Sequence, residues 1–411
     1  MKYGLLGERL GHSFSKEIHE QIGSYQYELK EVSKENFDDF MIQKDFIAIN
    51  VTIPYKEKVI PYLDYIDVSA KKIGAVNTIV NKDNKLYGYN TDYLGLRDLV
   101  LTNNINVQNK KVLILGTGGT SKTSRVVFKD LGAREIVLVS IEPVGNEISY
   151  EDALKYHQDS EIVVNATPCG MYPNNDDLIL DISNFNKLEA VVDVIYNPLK
   201  TMLVRNANKL GVKAVGGLYM LVAQAVYAAG IFMDTKYDNS VINKIYKQIY
   251  SEKQNIALIG MPTSGKTTIS LLLGEKLNKQ VVDTDLLVEE KMGMSIKEYL
   301  DIYEEKDFRK IETEVINEVS KQNNMVISTG GGVIKNQDNI NYLKANSVIV
   351  FIDRPLDLLF ASNSRPLSSN KQDLEKLYYE RYDLYCKYAD IIVKNDQDLE
   401  QVIDKIISEV K

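Results

Sequence analysis

Three short apolar segments, each followed at once by glycine, constrain the fold of this 411-residue chain more than any other feature. They occupy residues 2–6, 111–115 and 255–259. A buried strand, a glycine turn and a helix in succession are how α/β units begin. Strand-like and helix-like patterns also alternate between these segments. The chain is therefore predicted to be an α/β protein with parallel sheets throughout.

Polar stretches without periodicity predict where the units separate. A length of 411 residues is typical of two or three domains. Residues 250–255 are polar and aperiodic, which makes them the best linker candidate, and an Asn-rich segment at 103–108 marks a softer boundary. The predicted parts are a first lobe at 1–102, a second lobe at 103–250 whose C-terminal helices return to the first, a linker at 251–254 and a compact domain at 255–411.

Composition excludes several classes of protein. The 49 basic and 57 acidic residues give a net charge of −8, whereas nucleic-acid-binding proteins are normally basic. The two cysteines, Cys169 and Cys386, form neither a CxxC pair nor a Cys/His cluster, which argues against a zinc site or disulfide framework. The N-terminus does not read as a secretory signal, and no apolar run is long enough to span a membrane. We expect a cytoplasmic protein that acts on small molecules and has no nucleic-acid or membrane partners. A monomer is one oligomeric state that the sequence allows.

The glycine cluster of the third segment has the spacing of a P-loop. It reads GMPTSGKT at residues 260–267, with a strand before it and an amphipathic helix after it. Backbone N–H groups of such a loop wrap phosphate oxygens, the lysine adds positive charge, and the last hydroxyl is offered to Mg²⁺. The predicted ATP-binding residues are Gly260, Pro262, Thr263, Ser264, Gly265, Lys266, Thr267 and Thr268.

Five further motifs follow the P-loop in a fixed order. They are DTD at 283–285, FRKIE at 308–312, GGG at 330–332, RPL at 365–367 and RYDLY at 381–385. With the P-loop, this set resembles shikimate kinase over essentially all of residues 255–411. A nucleoside monophosphate kinase is the main alternative, but the two arginines and the triple glycine favour shikimate.

The kinase resemblance implies a role for individual residues. Shikimate carries a carboxylate, which suits the planar forks of arginine side chains. Asp285, Lys266 and Arg365 would be catalytic, with Arg365 the lid arginine that reaches the phosphates, while Thr267 and Asp283 would lie at Mg²⁺. The residues that would hold shikimate are Asp285, Arg309, Gly330, Gly331 and Arg381.

The second glycine cluster, GTGGTSK at residues 116–122, fits a dinucleotide-binding loop but is a weak signal alone. Other stretches of the first 250 residues make it specific. They read SFS at 13–15, NVTIPYK at 50–56, GAVNT at 74–78, GYNTD at 88–92, DVIYNP at 193–198 and GLYMLVAQ at 217–224. The set resembles shikimate dehydrogenase and the related quinate dehydrogenases, whose fold pairs an α/β substrate lobe with a Rossmann-like dinucleotide lobe.

This second resemblance implies that Lys56 and Asp92 are the catalytic pair. The implied substrate contacts are Ser13, Ser15, Thr52, Asn77, Asp92, Tyr196 and Gln224. The implied cofactor contacts are Gly116, Gly118, Gly119, Ser140, Gly217 and Met220. Taken individually, Lys56 is better interpreted as a surface lysine and Asp92 as a helix N-cap, and only the full motif set favours catalysis. Packing or capping is an open alternative for Tyr196 and Gln224.

The two resemblances together imply NADP, ATP and Mg²⁺, and two consecutive reactions on one intermediate, shikimate. A quinate/shikimate dehydrogenase with a catabolic bias, or a non-catalytic dinucleotide sensor, is the alternative for the first part. One turn departs from the family. Residues 140–142 read SIE where relatives that use NADP carry an Asn-Arg-Thr-like turn. Ile141 cannot pair with a 2′-phosphate, and Glu142 would repel one, so we predict that NADH is also used substantially. The alternative is that Ser140 with Lys122 or Arg125 holds the phosphate, and NADP stays the cofactor that the family implies.

Overall fold

The structure, a computed structural model, describes residues 1–11, 13–23, 25–360, 370–396 and 398–410. The chain divides into two compact units, Met1–Tyr250 and Ser251–Lys411. The predicted linker at 251–254 is not an irregular segment. A helix, Asn239–Lys253, runs through most of it, and the next strand begins at Asn255. Over the described part of the chain, no helix is long and apolar enough to cross a membrane.

The first lobe of the N-terminal unit is a six-stranded sheet with the order β2-β1-β3-β5-β6-β4. Its strands are β1 (Tyr3–Gly7), β2 (Glu28–Glu31), β3 (Ala48–Val51), β4 (Tyr65–Ile66), β5 (Thr78–Lys82) and β6 (Lys85–Tyr89). Its helices are α1 (Ser15–Ile22), α2 (Phe37–Gln43), α3 (Val68–Ile73) and α4 (Thr91–Thr102).

The expectation of parallel sheets throughout is wrong for this lobe. Strand β5 is antiparallel to both β3 and β6. The β5–β6 reversal is made by a two-residue turn, in which Asp83 and Asn84 both have positive φ, 52° and 65°. Asp and Asn tolerate this conformation, and two such residues in succession make the tight turn of a β-hairpin.

The second lobe is a five-stranded parallel sheet with the order β11-β10-β9-β7-β8. Its strands are β7 (Lys111–Leu115), β8 (Glu135–Val139), β9 (Ile162–Asn165), β10 (Ala190–Asp193) and β11 (Lys213–Val215). Its helices are α5 (Gly119–Asp130), α6 (Tyr150–Tyr156), α7 (Met202–Lys209), α8 (Leu218–Phe232) and α9 (Asn239–Lys253).

Helix α8 joins the two lobes of the N-terminal unit. It is apolar on most of its faces, as expected of a helix buried on all sides. Its C-terminal residues Ala228 and Phe232 belong to the same core as Leu5, Tyr27 and Val80 of the first lobe. The helix therefore brings side chains from the second half of the unit to the sheet of the first lobe.

The C-terminal unit is a five-stranded sheet with the order β13-β14-β12-β15-β16 and parallel pairing throughout. Its strands are β12 (Asn255–Ile259), β13 (Gln280–Asp283), β14 (Met325–Ser328), β15 (Ser347–Asp353) and β16 (Ile391–Lys394). Its helices are α10 (Lys266–Leu277), α11 (Thr284–Met292), α12 (Ile296–Ile302), α13 (Glu305–Ser320), α14 (Gln337–Asn346), α15 (Lys371–Tyr388) and α16 (Leu399–Val410). The P-loop follows the central, fully buried strand β12, so the predicted α/β architecture of this unit is confirmed.

Candidate active sites

Lys56 and Asp92 form a close ion pair in the first lobe. Nζ of Lys56 donates to Oδ2 of Asp92 at 2.6 Å, and the two side chains are only 15% and 9% exposed. Lys56 follows β3, and Asp92 lies in the first turn of α4. The alternative role of Asp92 as the N-cap of α4 is wrong, because the side chain of Asn90 caps the helix by accepting from the backbone N–H of Tyr93 at 3.2 Å.

A buried amide network lies beside this pair. Oδ1 of Asn77 accepts from the backbone N–H of Thr91 at 2.7 Å, and its Nδ2 donates to Oγ1 of Thr91 at 3.1 Å. The same Nδ2 lies 3.4 Å from Oε1 of Gln224, which α8 brings from 147 positions away in the sequence. Two predicted substrate residues thus meet in space. The sequence prediction did not single out Thr91, although it stands inside the GYNTD motif.

The remaining predicted substrate residues lie at the N-terminus of α1 and at strand ends. Oγ of Ser13 donates to Oγ of Ser15 at 3.0 Å. The rings of Phe14 and Tyr196 are 5.2 Å apart. Burial raises the pKa of the Tyr196 phenol, and its hydrogen bond with Ser13 opposes that shift. Thr52 follows β3 directly, and its backbone N–H donates to the carbonyl of Leu6 at 2.9 Å.

The predicted dinucleotide loop adjoins the Lys56–Asp92 pair. Gly116 has a φ of +100°, a conformation that favours glycine. Gly118 caps the N-terminus of α5 and has open space where a side chain would stand. A Cβ atom placed on Gly119, the first residue of α5, would lie 3.6 Å from Cδ of Lys56. Bare backbone at a helix N-terminus suits a pyrophosphate, so the residues present fit a dinucleotide.

Two further predicted cofactor residues lie at the start of α8. Gly217 is the N-cap of that helix, and its backbone N–H donates to the carbonyl of Ile195 at 2.8 Å. Met220 lies one turn into the helix and is buried. Both residues belong to the helix that carries Gln224, so one rigid element presents predicted cofactor and substrate contacts together.

In the turn after β8, the uncharged residue Ile141 stands where relatives that use NADP are expected to carry arginine. Ser140 is buried, and its hydroxyl donates to the carbonyl of Glu142 at 3.1 Å. The Ile141 side chain is 88% exposed. Serine and glutamate therefore flank an exposed aliphatic side chain, and none of these three residues supplies a cation for a phosphate.

The P-loop of the C-terminal unit has the geometry of a phosphate-binding turn. Gly265 has a φ of +94° and is the N-cap of α10. Nζ of Lys266 donates to the carbonyl oxygens of Gly260 and Met261, both at 2.9 Å. Ser264 is buried, and its carbonyl accepts from Nδ2 of Asn395 at 2.8 Å. This contact, 131 positions away in the sequence, carries no local sequence signal.

The remaining predicted ATP-binding residues are Pro262, Thr263, Thr267 and Thr268. Thr263 has a φ of +64°, rare for a residue with a side chain, and its hydroxyl exchanges hydrogen bonds with the backbone N–H and C=O of Phe360 at 3.2 and 3.1 Å. Thr267 and Thr268 are exposed on the first turn of α10. Arg365, the predicted lid arginine, lies outside the described residues.

Hydroxyl and carboxylate oxygens meet at the predicted magnesium site. Oδ2 of Asp283 accepts from the hydroxyls of Thr267 and Ser328 at 3.1 and 3.2 Å. Such hard oxygen ligands suit Mg²⁺, which usually takes one or two protein ligands beside the phosphates of a nucleotide. Among the described residues, no group of three or more His, Cys, Asp and Glu side chains is placed to hold a metal ion. The donor set fits a magnesium ion that depends on nucleotide phosphates for most of its coordination.

The predicted shikimate site, called the acceptor site because shikimate would accept the phosphoryl group, lies around the triple glycine at residues 330–332. The Asp285 carboxylate lies against Gly330, and the Arg309 guanidinium lies against Gly332, because a Cβ atom on either glycine would overlap them. A Cβ atom on Gly331 would lie 3.0 Å from Cδ of Pro262 in the P-loop. The acceptor loop and the nucleotide loop are therefore direct neighbours within this unit.

Carboxylates neutralise Arg309 from two sides. Its Nη1 donates to both carboxylate oxygens of Glu312, at 3.0 and 2.9 Å, and its Nε and Nη2 donate to Oε1 of Glu305 at 3.1 and 2.9 Å. Burial raises the pKa of Glu312, and Arg309 opposes the shift. The sequence prediction missed Glu305, although its position four residues before Arg309 on a helix is a recognisable signal.

The last predicted acceptor residue is buried beneath the same loop. Nη1 of Arg381 donates to the carbonyl of Gly331 at 3.1 Å, and the Tyr385 hydroxyl donates to the same oxygen. Both side chains come from α15 and are almost fully buried. All the described residues of the predicted acceptor site thus converge on residues 330–332.

Comparison with known proteins assigns both units. The family described as "Shikimate dehydrogenase substrate binding domain" matches residues 5–79, and the family described as "Shikimate kinase" matches residues 262–411. A relative from Clostridium beijerinckii, "Shikimate dehydrogenase (NADP(+))", is 39% identical over 267 residues, which cover 61% of this chain and 98% of the relative.

Solved structures agree over the N-terminal unit. The crystal structure of shikimate dehydrogenase 1 from Peptoclostridium difficile is 40% identical with a TM-score of 0.56, covering 61% of this chain and 98% of that one. Shikimate 5-dehydrogenase from Listeria monocytogenes, solved with shikimate and NAD, is 26% identical with a TM-score of 0.51, covering 60% and 96%. The chain therefore belongs to the shikimate dehydrogenase family and joins that dehydrogenase to a shikimate kinase domain in one polypeptide.

Proposed function

We propose that the chain is a bifunctional enzyme that reduces 3-dehydroshikimate to shikimate with NADPH and then phosphorylates the 3-hydroxyl of shikimate with ATP. One observation carries the proposal. Each unit places its reactive side chain at its own nucleotide loop: Lys56 at Gly119 in the first unit, and Asp285 at the glycine loop that touches Pro262 in the second. The two activities share shikimate as product and substrate.

Ketone reduction needs a hydride at carbon and a proton at the developing alkoxide. A nicotinamide, when bound at the glycine loop, would supply the hydride. The Lys56 ammonium donates the proton and stabilises the oxygen, while Asp92 holds Lys56 in place. The buried and half-buried hydroxyls and amides around the pair read the hydroxyl pattern of the ring, because an unmatched buried polar group is costly. These residues are Ser13, Ser15, Thr52, Asn77, Tyr196 and Gln224.

Phosphoryl transfer depends on positioning and charge neutralisation. The Asp285 carboxylate orients the attacking hydroxyl and accepts its proton. The guanidinium groups of Arg309 and Arg381 bind the shikimate carboxylate. Lys266 neutralises the β- and γ-phosphates, with Arg365 as the lid residue. Thr267 and Asp283 would hold Mg²⁺, which would supply positive charge that neutralises the phosphates.

The proposed nicotinamide cofactor is NADP with substantial use of NAD. The name of the Clostridium beijerinckii relative supports NADP, and the Listeria monocytogenes structure was solved with NAD. In this chain, the exposed Ile141 offers no charge to a 2′-phosphate, and Glu142 repels one while suiting a ribose hydroxyl. An uncharged Ile141 beside Glu142 supports weak discrimination between NADPH and NADH.

We further propose that each reaction belongs to one separable unit. The motif sets lie wholly within Met1–Tyr250 and Ser251–Lys411. The purified chain should oxidise NADPH with 3-dehydroshikimate in the absence of ATP, and form ADP with shikimate in the absence of NADPH. Fragments 1–252 and 253–411 should each retain one of these reactions. A folded fragment that loses its reaction would show that the units complete each other's sites.

The start of the kinase fragment can be chosen from the structure. Nζ of Lys279 donates to the carbonyls of Ser251, Glu252 and Gln254 at 2.8, 3.2 and 2.8 Å. A fragment that starts at residue 251 keeps all three bonds, whereas the fragment 253–411 keeps only the bond to Gln254. The longer fragment should therefore be the more stable control for kinase activity.

A further inference from the structure

A fully buried carboxylate lies at the C-terminal end of β10. Asp193 is 0% exposed, and strand pairing sets it beside Asn165 at the end of β9. The groups that donate to it are neutral: Nδ2 of Asn165 at 3.1 and 3.2 Å, the backbone N–H of Ile195 at 3.0 Å and the Thr201 hydroxyl at 2.7 Å. Burial raises the pKa of Asp193 to about 6. Burial of a carboxylate among neutral hydrogen-bond donors is costly to stability.

One arm of this network reaches the cofactor loop. Oδ1 of Asn165 accepts from the backbone N–H and the hydroxyl of Thr167 at 3.0 and 2.8 Å. Cγ2 of Thr167 packs directly against Gly116, because a Cβ atom on that glycine would lie only 2.7 Å from it. Asp193 orients the Asn165 amide, and that amide in turn holds Thr167 against Gly116 of the dinucleotide loop.

The other arm reaches the substrate loop. The N–H of Ile195 donates to Oδ1 of Asp193, and the next residue is Tyr196 of the proposed substrate site. The carbonyl of Ile195 accepts from the N–H of Gly217 at 2.8 Å, at the start of the helix that carries Met220 and Gln224. Ligands of open parallel sheets bind beyond the carboxyl ends of the strands, which is where Asp193 lies.

We infer that Asp193 is a positioning residue for ketone reduction, which fixes the cofactor loop and the substrate loop relative to each other. The inference rests on the proposed dehydrogenase function. Asp193 touches neither the cofactor loop nor Tyr196 through its own side chain; it acts through Asn165 and Ile195. Removing its charge should therefore loosen the binding of two different ligands together while leaving the Lys56–Asp92 pair in place.

The test compares Asp193→Asn with the parent and with Asp181→Asn in the full chain. Asp181 is an exposed residue of the same unit whose carboxylate accepts from the N–H of Ser183. Asp193→Asn should raise KM for NADPH and KM for 3-dehydroshikimate by about tenfold each, as expected when a charged, buried hydrogen-bond partner is lost. Asp181→Asn should match the parent. Kinase constants of the same molecules should be unchanged, because the kinase motifs lie in the other unit. Circular dichroism and the unfolding temperature then report whether the N-terminal unit of each variant is folded.

Unchanged KM values in Asp193→Asn, or a rise in only one of them, would overturn the inference. A parent chain that does not reduce 3-dehydroshikimate at all would instead overturn the proposed function. If Asp193→Asn does not fold, Thr201→Val replaces it, with Thr201→Ser as its control. Thr201→Val removes one hydrogen bond to Asp193 and also removes the side-chain cap of α7. Loss of the cap alone should lower the unfolding temperature but change neither KM value. Both KM values should rise in Thr201→Val and stay at parent values in Thr201→Ser, and any other pattern contradicts the inference.

Discussion

The ammonium of Lys56 lies 2.6 Å from Oδ2 of Asp92, a residue 36 positions later in the chain. The aliphatic part of the same lysine borders Gly119 at the start of α5. One side chain thus touches the helix that supplies the carboxylate and the loop proposed to hold the cofactor. This is the position that a proton donor needs if hydride and proton are to reach the same carbonyl group.

Lys56→Ala should cripple ketone reduction and leave the kinase near normal. General acid catalysis by a positioned group contributes about 10²–10⁴-fold, so kcat for reduction should fall within that range. Initial rates of NADPH oxidation measure it. Lys58→Ala, at an exposed lysine two residues away, is the matched control. A fall of less than about tenfold with tight substrate binding retained would mean that Lys56 is not the proton donor.

Asp285→Asn should have the reverse effect. Its carboxylate lies against Gly330 in the acceptor loop, where an amide cannot accept the proton of the attacking hydroxyl. ADP formation with shikimate should fall by about 10²-fold or more, while reduction continues at the parent rate. Asp301→Asn changes an exposed aspartate of α12 and should leave both activities unchanged. Kinase turnover within a few-fold of the parent would remove Asp285 from the proposed mechanism.

Ile141→Arg should shift cofactor preference toward NADPH. A new charged contact to the 2′-phosphate is worth about 1.5–3 kcal/mol, which corresponds to roughly 10–150-fold in the ratio of kcat/KM for NADPH to that for NADH. Ile42→Arg adds the same charge at an exposed isoleucine of α2 and controls for net charge. If the parent already prefers NADPH by more than about a thousandfold, over 4 kcal/mol of phosphate binding comes from other residues, and the account of this turn is wrong.

Acidification should weaken the N-terminal unit through His19. This histidine is fully buried, stacks on Tyr27 with ring centroids 3.9 Å apart, and shares a 2.7 Å hydrogen bond with Tyr25 through Nδ1. Burial lowers its pKa from 6.5 to about 3. The fold favours the neutral ring, so this contribution to stability is complete above pH 6.5 and is lost as the pH falls toward 3.

At about pH 5, the protonation of His19 in the unfolded chain should cost about 2 kcal/mol of unfolding free energy relative to neutral pH. Urea unfolding followed by circular dichroism at the two pH values measures the difference. His19→Phe keeps a stacking ring but cannot titrate, so it should lose most of this pH dependence. Partial burial also lowers the pKa of His157, by less than that of His19, so His157→Phe should lose only a smaller share of the pH dependence. Equal pH dependence in the parent and His19→Phe would contradict the assignment.

Local patterns were sufficient to predict much of the fold. The strands Lys111–Leu115 and Asn255–Ile259 begin and end where their apolar runs do, because buried parallel strands are continuous apolar segments bounded by turns. The mixed sheet was missed although its signal was present: Asp83-Asn84 is a hairpin turn. The helical linker was missed because a polar helix end and a loop have similar composition.

The candidate sites likewise contain residues that local motifs predict and contacts that local motifs do not predict. Motifs located Lys56, Asp92, Lys266 and Asp285 because their neighbours in the sequence are distinctive. They did not show that Gln224 meets Asn77 or that Asn395 holds the P-loop carbonyl of Ser264, since these partners are 147 and 131 positions apart. The role inferred for Asp193 likewise depends on strand register, which no single segment encodes.

A single incubation tests the central claim, that one chain carries out both reactions in succession. The purified chain is given 3-dehydroshikimate, Mg-ATP and NADPH carrying deuterium at both C4 positions of the nicotinamide, and the products are identified by mass. The account predicts shikimate 3-phosphate that contains one deuterium atom, and unphosphorylated deuterated shikimate when ATP is omitted. Phosphate-free product in the presence of Mg-ATP, or no incorporation of deuterium, would contradict it.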